Sequence, residues 1–159
     1  FITKPTGYYL KFILAILNSK LIFTWLFHRG KRKGAMLELY QEPLSQIPII
    51  KNVNIEVQNT IIILIDYIIY LKKLEKENYI IEFFERVIDI AVYELYFKEE
   101  LHSKGFGILE VLESELIPFD NSFETIERVY KKLSDKNHKV AYNVNFIDTL
   151  DIVKTIENK

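Results

Sequence analysis

The 159-residue chain has no cysteine. Disulfides and thiolate metal sites are excluded, and the lack of thiols fits the reducing cytoplasm, the expected location. Histidine is scarce as well. His28, His102 and His138 lie far apart and lack the paired spacing of metal ligands, so each reads as a surface or capping residue. With only five glycines there is no phosphate-cradling loop, since Gly105-Phe106-Gly107 lacks both a third glycine and a following Lys-Ser/Thr. The few serines do not form a nucleophile elbow. The many carboxylates of the rear half fall on expected helix faces, where charge is usually solvated. No catalytic, cofactor-binding or metal-binding residue is expected in the chain.

Uninterrupted apolar runs are also missing. Residues 8–27 are long enough to span a bilayer, but Lys11, Asn18, Ser19 and Lys20 fall within them, and Asp66 interrupts the run at 61–71. A charge at the bilayer centre costs about 2.5–3.5 kcal/mol on insertion scales, so two lysines argue against a membrane-spanning protein. The first residues, Phe1-Ile2-Thr3-Lys4, read as a strand, which leads us to expect a segment cut from a longer chain.

What is present is core-forming material. Hydrophobic residues make up 49% of the chain and aromatic residues 14%, enough to bury a core and to argue against disorder. The net charge of −1 hides an asymmetry: residues 1–52 carry a balance of +6, and the remainder −7. Only the front is suited to face a polyanion.

Phe12, Ile13, Ile16 and Leu17 recur at helical spacing, so residues 8–27 read as one helix that Asn18-Ser19 could bend. Residues 28–34 read as a glycine-bracketed loop, residues 36–40 as a short strand, and residues 43–52 as a connector marked by Pro43 and Pro48. Val57, Ile61, Leu64, Ile68 and Leu71 then step by three and four, with Ile62, Ile65 and Ile69 as a second stripe. Ile81, Phe84, Ile88, Ala91 and Leu95 repeat the stepping after a polar join at residues 75–78. Two such helices predict a long antiparallel hairpin.

Gly105 and Gly107 close that unit, and shorter helices are expected over 108–116, 122–133 and 140–156. Pro118 stops the first of these, and Asn121 with Glu124 resembles a capping box for the second. The fold class is therefore mainly α: a helical bundle with a long antiparallel hairpin and a small, incomplete β element near the N-terminus. The divisions are 1–52 as a DNA-contacting segment, 53–98 as the hairpin scaffold and 99–159 as a helical tail.

The one concentrated chemical signal is His28-Arg29-Gly30-Lys31-Arg32-Lys33-Gly34, with four fixed positive charges in five residues. Lysine and arginine neutralise phosphates and release counterions, and arginine also reads guanine in a bidentate way. The same residues are equally compatible with a solvated basic loop that binds nothing. Phe23, Trp25 and Phe27 continue an apolar helix and read as core rather than as base-stacking platforms.

Several segments in order resemble a known family. Tyr9-Leu10-Lys11-Phe12-Ile13-Leu14-Ala15-Ile16-Leu17-Asn18-Ser19-Lys20-Leu21-Ile22 is similar to the "LLAILNSKLI" helix in the target-recognition region of adenine-specific DNA methyltransferases. These are type IIG restriction–modification enzymes with a TaqI-like C-terminal specificity domain. Leu44-Ser45-Gln46-Ile47-Pro48-Ile49 resembles that family's "L..IPI" connector, and Asp89-Ile90-Ala91-Val92-Tyr93-Glu94-Leu95-Tyr96 its "ID.LVYELY" helix. Glu100-Leu101-His102 through Leu112-Glu113, and Asp148-Thr149-Leu150-Asp151-Ile152-Val153, look like the tail of some members.

The resemblance implies that S-adenosylmethionine and the flipped adenine are held by an upstream Rossmann-like domain carrying an Asn-Pro-Pro-Tyr motif, which this chain lacks. The expectation is a non-catalytic piece that helps to hold double-stranded DNA. Its DNA-binding candidates are Lys20, His28, Arg29, Lys31, Arg32 and Lys33. The other expected partner is the catalytic methyltransferase domain of the same parent chain. A structural or dimerising helical module without DNA binding is the alternative.

Overall fold

The computed structural model describes residues 7–29, 31–33, 36–38, 41–75 and 78–157, with backbone alone for 31–33, 36–38 and 41–42. The strand expected over residues 1–4 lies outside them, as do Gly30 and Gly34. Helices dominate: α1 (Leu10–Asn18), α2 (Lys20–Arg29), α3 (Gln41–Ser45), α4 (Ile55–Leu74), α5 (Asn78–Tyr96), α6 (Lys98–Ser103), α7 (Leu109–Glu115), α8 (Phe123–Leu133), α9 (Lys139–Phe146) and α10 (Asp151–Glu157). A 3-10 turn, Ile147–Thr149, separates the last two. Two three-residue strands, β1 (Lys31–Lys33) and β2 (Met36–Glu38), pair antiparallel with Lys31 opposite Glu38 and Lys33 opposite Met36.

The long helices form where the apolar period is cleanest. Ile61, Leu64, Ile68 and Leu71 of α4 are buried, as are Ile81, Phe84, Ile88 and Ala91 of α5. The two helices pack on each other, with the Tyr67 and Phe84 rings 5.5 Å apart and Lys72 bonded to Glu85 at 2.7 Å. Asn54 caps α4 by accepting the Val57 N–H at 2.9 Å, and Glu75 ends it in a left-handed conformation. α1 lies against α4, α2 against α5 and α10, α7 against α4, and α9 against α5. One hydrophobic cluster runs through all of them, from Phe12 to Ile156.

The expected single helix over 8–27 is two helices that meet at an angle of 64°. Ser19 makes the break. Its extended backbone ends α1, its hydroxyl donates to the Ile16 carbonyl at 2.7 Å, and the same oxygen accepts the Ile22 N–H at 3.3 Å. One buried serine thus closes the first helix and opens the second. No single helix among the described residues is long and apolar enough to cross a membrane; the bent α1–α2 pair passes that test only jointly.

Other expectations need correction. Residues 31–33, read as loop, form β1, and residues 43–45 of the expected connector belong to α3. α6 intervenes before Gly105. The helix expected over 140–156 is broken at Ile147–Thr149 because Leu150 turns extended. The cap of α8 is Ser122, not Asn121: the Ser122 hydroxyl accepts the Thr125 N–H and donates to Glu124. Asn121 instead takes a positive φ of 62°. Asp120 completes this turn, accepting from the Ser122 N–H and the Thr125 hydroxyl.

Candidate nucleic-acid interface

The basic cluster begins in the last turn of α2. His28 and Arg29 are exposed there, at the helix end whose free carbonyls favour positive charge. The Arg29 guanidinium lies 5.9 Å from the centre of the Trp25 ring, one turn back, and His28 packs edge-on to Phe27. Phe27 stacks on Phe23 with centroids 6.3 Å apart. Phe23 is 57% exposed, which overturns the reading of this residue as core, while Trp25 and Phe27 are half-buried. The aromatic residues therefore run along α2 toward its cationic end rather than wholly into the interior. Past Arg29 the backbone reaches β1, whose residues are Lys31, Arg32 and Lys33.

Lys20 stands apart from this group. It lies nine positions before Arg29 on the same helix, about 13 Å along the axis. Its N–H donates to the Asp89 carboxylate at 2.8 Å, and its ammonium lies 3.5 Å from Glu157 and 4.0 Å from Asp89. Of the six candidates, the structure brings together His28 and Arg29, places the backbone of Lys31, Arg32 and Lys33 next in line, and puts Lys20 at the other end of α2.

The groups around Lys20 form an ion cluster that the charge pattern did not reveal. Asp89, Arg86 and Tyr93 project from α5, Asp148 from the 3-10 turn and Glu157 from α10. Arg86 bonds both Asp148 and Glu157, and Tyr93 donates to Glu157 at 2.9 Å. Burial pushes the Asp89 carboxyl up to about 6, against the lowering pull of the Lys20 N–H and the Lys20 and Arg86 charges. Burial raises the Tyr93 phenol too, with the Asp89 and Glu157 charges adding to it. Arg86 resists its burial through Glu157 and Asp148, which hold its pKa above the ordinary value.

Asp89 and Lys20 also line a cleft of about 560 Å³ between α1, α4 and α5, with Leu14, Ile65 and Ile69 among its apolar walls.

A second buried carboxylate, Glu94, accepts the Ile108 and Leu109 N–H groups at 2.6 and 2.9 Å and bonds His102 at 2.7 Å. It satisfies backbone donors at the start of α7, a structural duty. His138 caps α9 through its Nδ1, which accepts the Val140 N–H, leaving Nε2 to donate to Glu115 at 2.9 Å. The expectation of capping duty holds for this histidine. The reading of rear-half carboxylates as solvated fails for Asp89 and Glu94. The only sequence sign was their position: each falls within the apolar stretch of α5, where a solvated charge has no face to occupy. Among the described residues no group of three or more acidic or histidine side chains is placed to hold a metal ion.

Comparison of the chain with protein-family models, with curated proteins and with solved structures gives no match.

Proposed function

We propose that this chain is a non-catalytic module that recognises and positions DNA, belonging to an adenine-specific DNA methyltransferase or a type IIG restriction–modification enzyme. The observation that supports it best is the continuity of the basic stretch. Arg29 sits exposed at the end of α2, and the backbone passes from there into a two-stranded ribbon whose first strand is Lys31-Arg32-Lys33. A β-ribbon fits the major groove of B-DNA, and clustered cations neutralise the phosphates beside it.

On this reading Arg29, Lys31, Arg32 and Lys33 contact the backbone of the duplex, and His28 lies at the margin. α4 and α5 act as an antiparallel hairpin scaffold that sets this surface relative to the catalytic domain of the same parent chain. S-adenosylmethionine belongs to that catalytic domain. Lys20, also a candidate from the sequence, is assigned to seating α2 because its donors already face Asp89 and Glu157.

The test is fluorescence anisotropy with a labelled duplex, comparing the chain with a Lys31→Ala/Arg32→Ala/Lys33→Ala variant. Binding that the variant loses supports the reading; equal binding by both removes the ribbon from it. A second reading, a protein–protein module, is favoured by Leu10 and Leu14. They are 60% and 42% exposed one turn apart on α1, where a partner helix would cover them. Concentration-dependent dimerisation without DNA binding would select it.

A further inference from the structure

We infer that α10 is a latch that seats α2, with Glu157 as its positioning residue and Thr24 as its second tie. This rests on the proposed function only where it extends to DNA, because α2 carries the basic end and leads into the ribbon.

The polar ties from α10 to α2 and α5 converge on its last turn. The Glu157 carboxylate receives Arg86 and Tyr93 from α5 and faces the Lys20 ammonium from α2. One residue earlier, the Ile156 carbonyl accepts the Thr24 hydroxyl of α2 at 2.6 Å. Ile156 and Val153 of α10 are buried in the common cluster, as are Ile22 and Leu26 of α2, and the two helices pack on each other.

Besides α10, α2 packs on α1, α3 and α5. It begins at the bend made by Ser19, and its first turn is satisfied by Ser19 and Asp89. Beyond Leu26 its side chains are half-buried or exposed. A short helix that begins at a bend takes its direction from the elements against which it lies, and α10 is one of them. A seven-residue helix such as α10 has little stability of its own. Besides buried Val153 and Ile156 it is held by the ion cluster, in which the Glu157 carboxylate, 3% exposed, accepts from Arg86 and Tyr93. Loss of those bonds frees α10, and with it the surface against which α2 is set.

The experiment is amide hydrogen exchange on the whole chain, with Glu157→Gln, Thr24→Val and the two combined. Glu157→Gln keeps the shape of the side chain and removes its charge. Thr24→Val replaces the hydroxyl with a methyl group of similar size. Exchange at residues 21–29 and 152–157 is expected to rise together, by about tenfold or more in the double variant, while residues 61–71 keep wild-type protection. Affinity for a labelled duplex is expected to fall by about threefold to thirtyfold with an unchanged salt slope, since no phosphate contact is removed.

Faster exchange in α10 with wild-type exchange in α2 would overturn the latch, as would wild-type exchange in both. If Glu157→Gln unfolds the chain, Thr24→Val decides by the same comparison. Failure of the wild-type chain to bind DNA at low salt would sink the proposed function and leave the exchange data to decide the latch.

Discussion

The carboxylate of Asp89 accepts the backbone N–H of Lys20 at 2.8 Å, from a side chain that is only 10% exposed. An α5 residue thereby fills the first turn of a helix sixty-nine positions earlier in sequence. A carboxylate at a helix N-terminus is favourable for the dipole, but burial raises the cost of its charge.

That cost has a pH signature. With a folded pKa of about 6 against an ordinary 3.8, folded Asp89 holds its proton more tightly than the unfolded chain does. The contribution therefore favours folding at low pH and declines as pH rises from about 4 to about 6. The full shift corresponds to about 3 kcal/mol. Asp89→Asn keeps an oxygen for the Lys20 N–H and removes the charge. Relative to wild type, its thermal stability should improve as pH rises from 4 to 7. A variant that loses ground over that range would show that ionised Asp89 is a net asset.

Gly107 is required by close approach. A Cβ there would lie 2.7 Å from His102 Nε2 and 3.1 Å from Glu94 Oε1. The imidazole, 46% exposed, is able to swing aside and give up its bond to Glu94. Gly107→Ala should cost about 1–3 kcal/mol, the loss expected when a buried acceptor loses a partner. In a His102→Ala background the same change should cost much less. A double-mutant cycle by urea denaturation measures the difference, and additive costs would reject this account.

Two positions of α4 separate burial from proximity to the cleft. Leu64 is fully buried, while Ile68 is 7% exposed and lines the cleft wall. An unpaired charge at either site is costly, but at 68 the carboxylate can reach the cleft. Leu64→Asp should abolish cooperative melting, and Ile68→Asp should destabilise the chain strongly and less than Leu64→Asp does. The reverse order in circular dichroism melts would contradict this placement.

Much of the fold was legible because its strongest rule is local. A three-and-four spacing of apolar residues specifies α4 and α5 without knowledge of the rest of the chain. The break at Ser19 was visible only as a polar interruption, since the helix start it makes is completed by a carboxylate from α5. Asp89 and Glu94 were misread for a related reason: their partners are backbone N–H groups and side chains from distant segments, which periodicity does not encode. Phe23 was misread because α2 is too sparsely covered to bury its whole apolar girth. Among the candidate site residues, the clustering of Arg29 with residues 31–33 was plain from the sequence. The attachment of Lys20 to Glu157 and Asp89 was not.

The salt dependence of duplex binding tests the contact with DNA most directly. Log affinity should fall linearly with log salt, with a slope of about −0.9 for each phosphate neutralised. Arg29→Ala should reduce that slope by about one such increment, and the Lys31→Ala/Arg32→Ala/Lys33→Ala variant should reduce it further. A wild-type slope near zero, or one that all these variants retain, would contradict a phosphate-contacting role for the end of α2 and its ribbon.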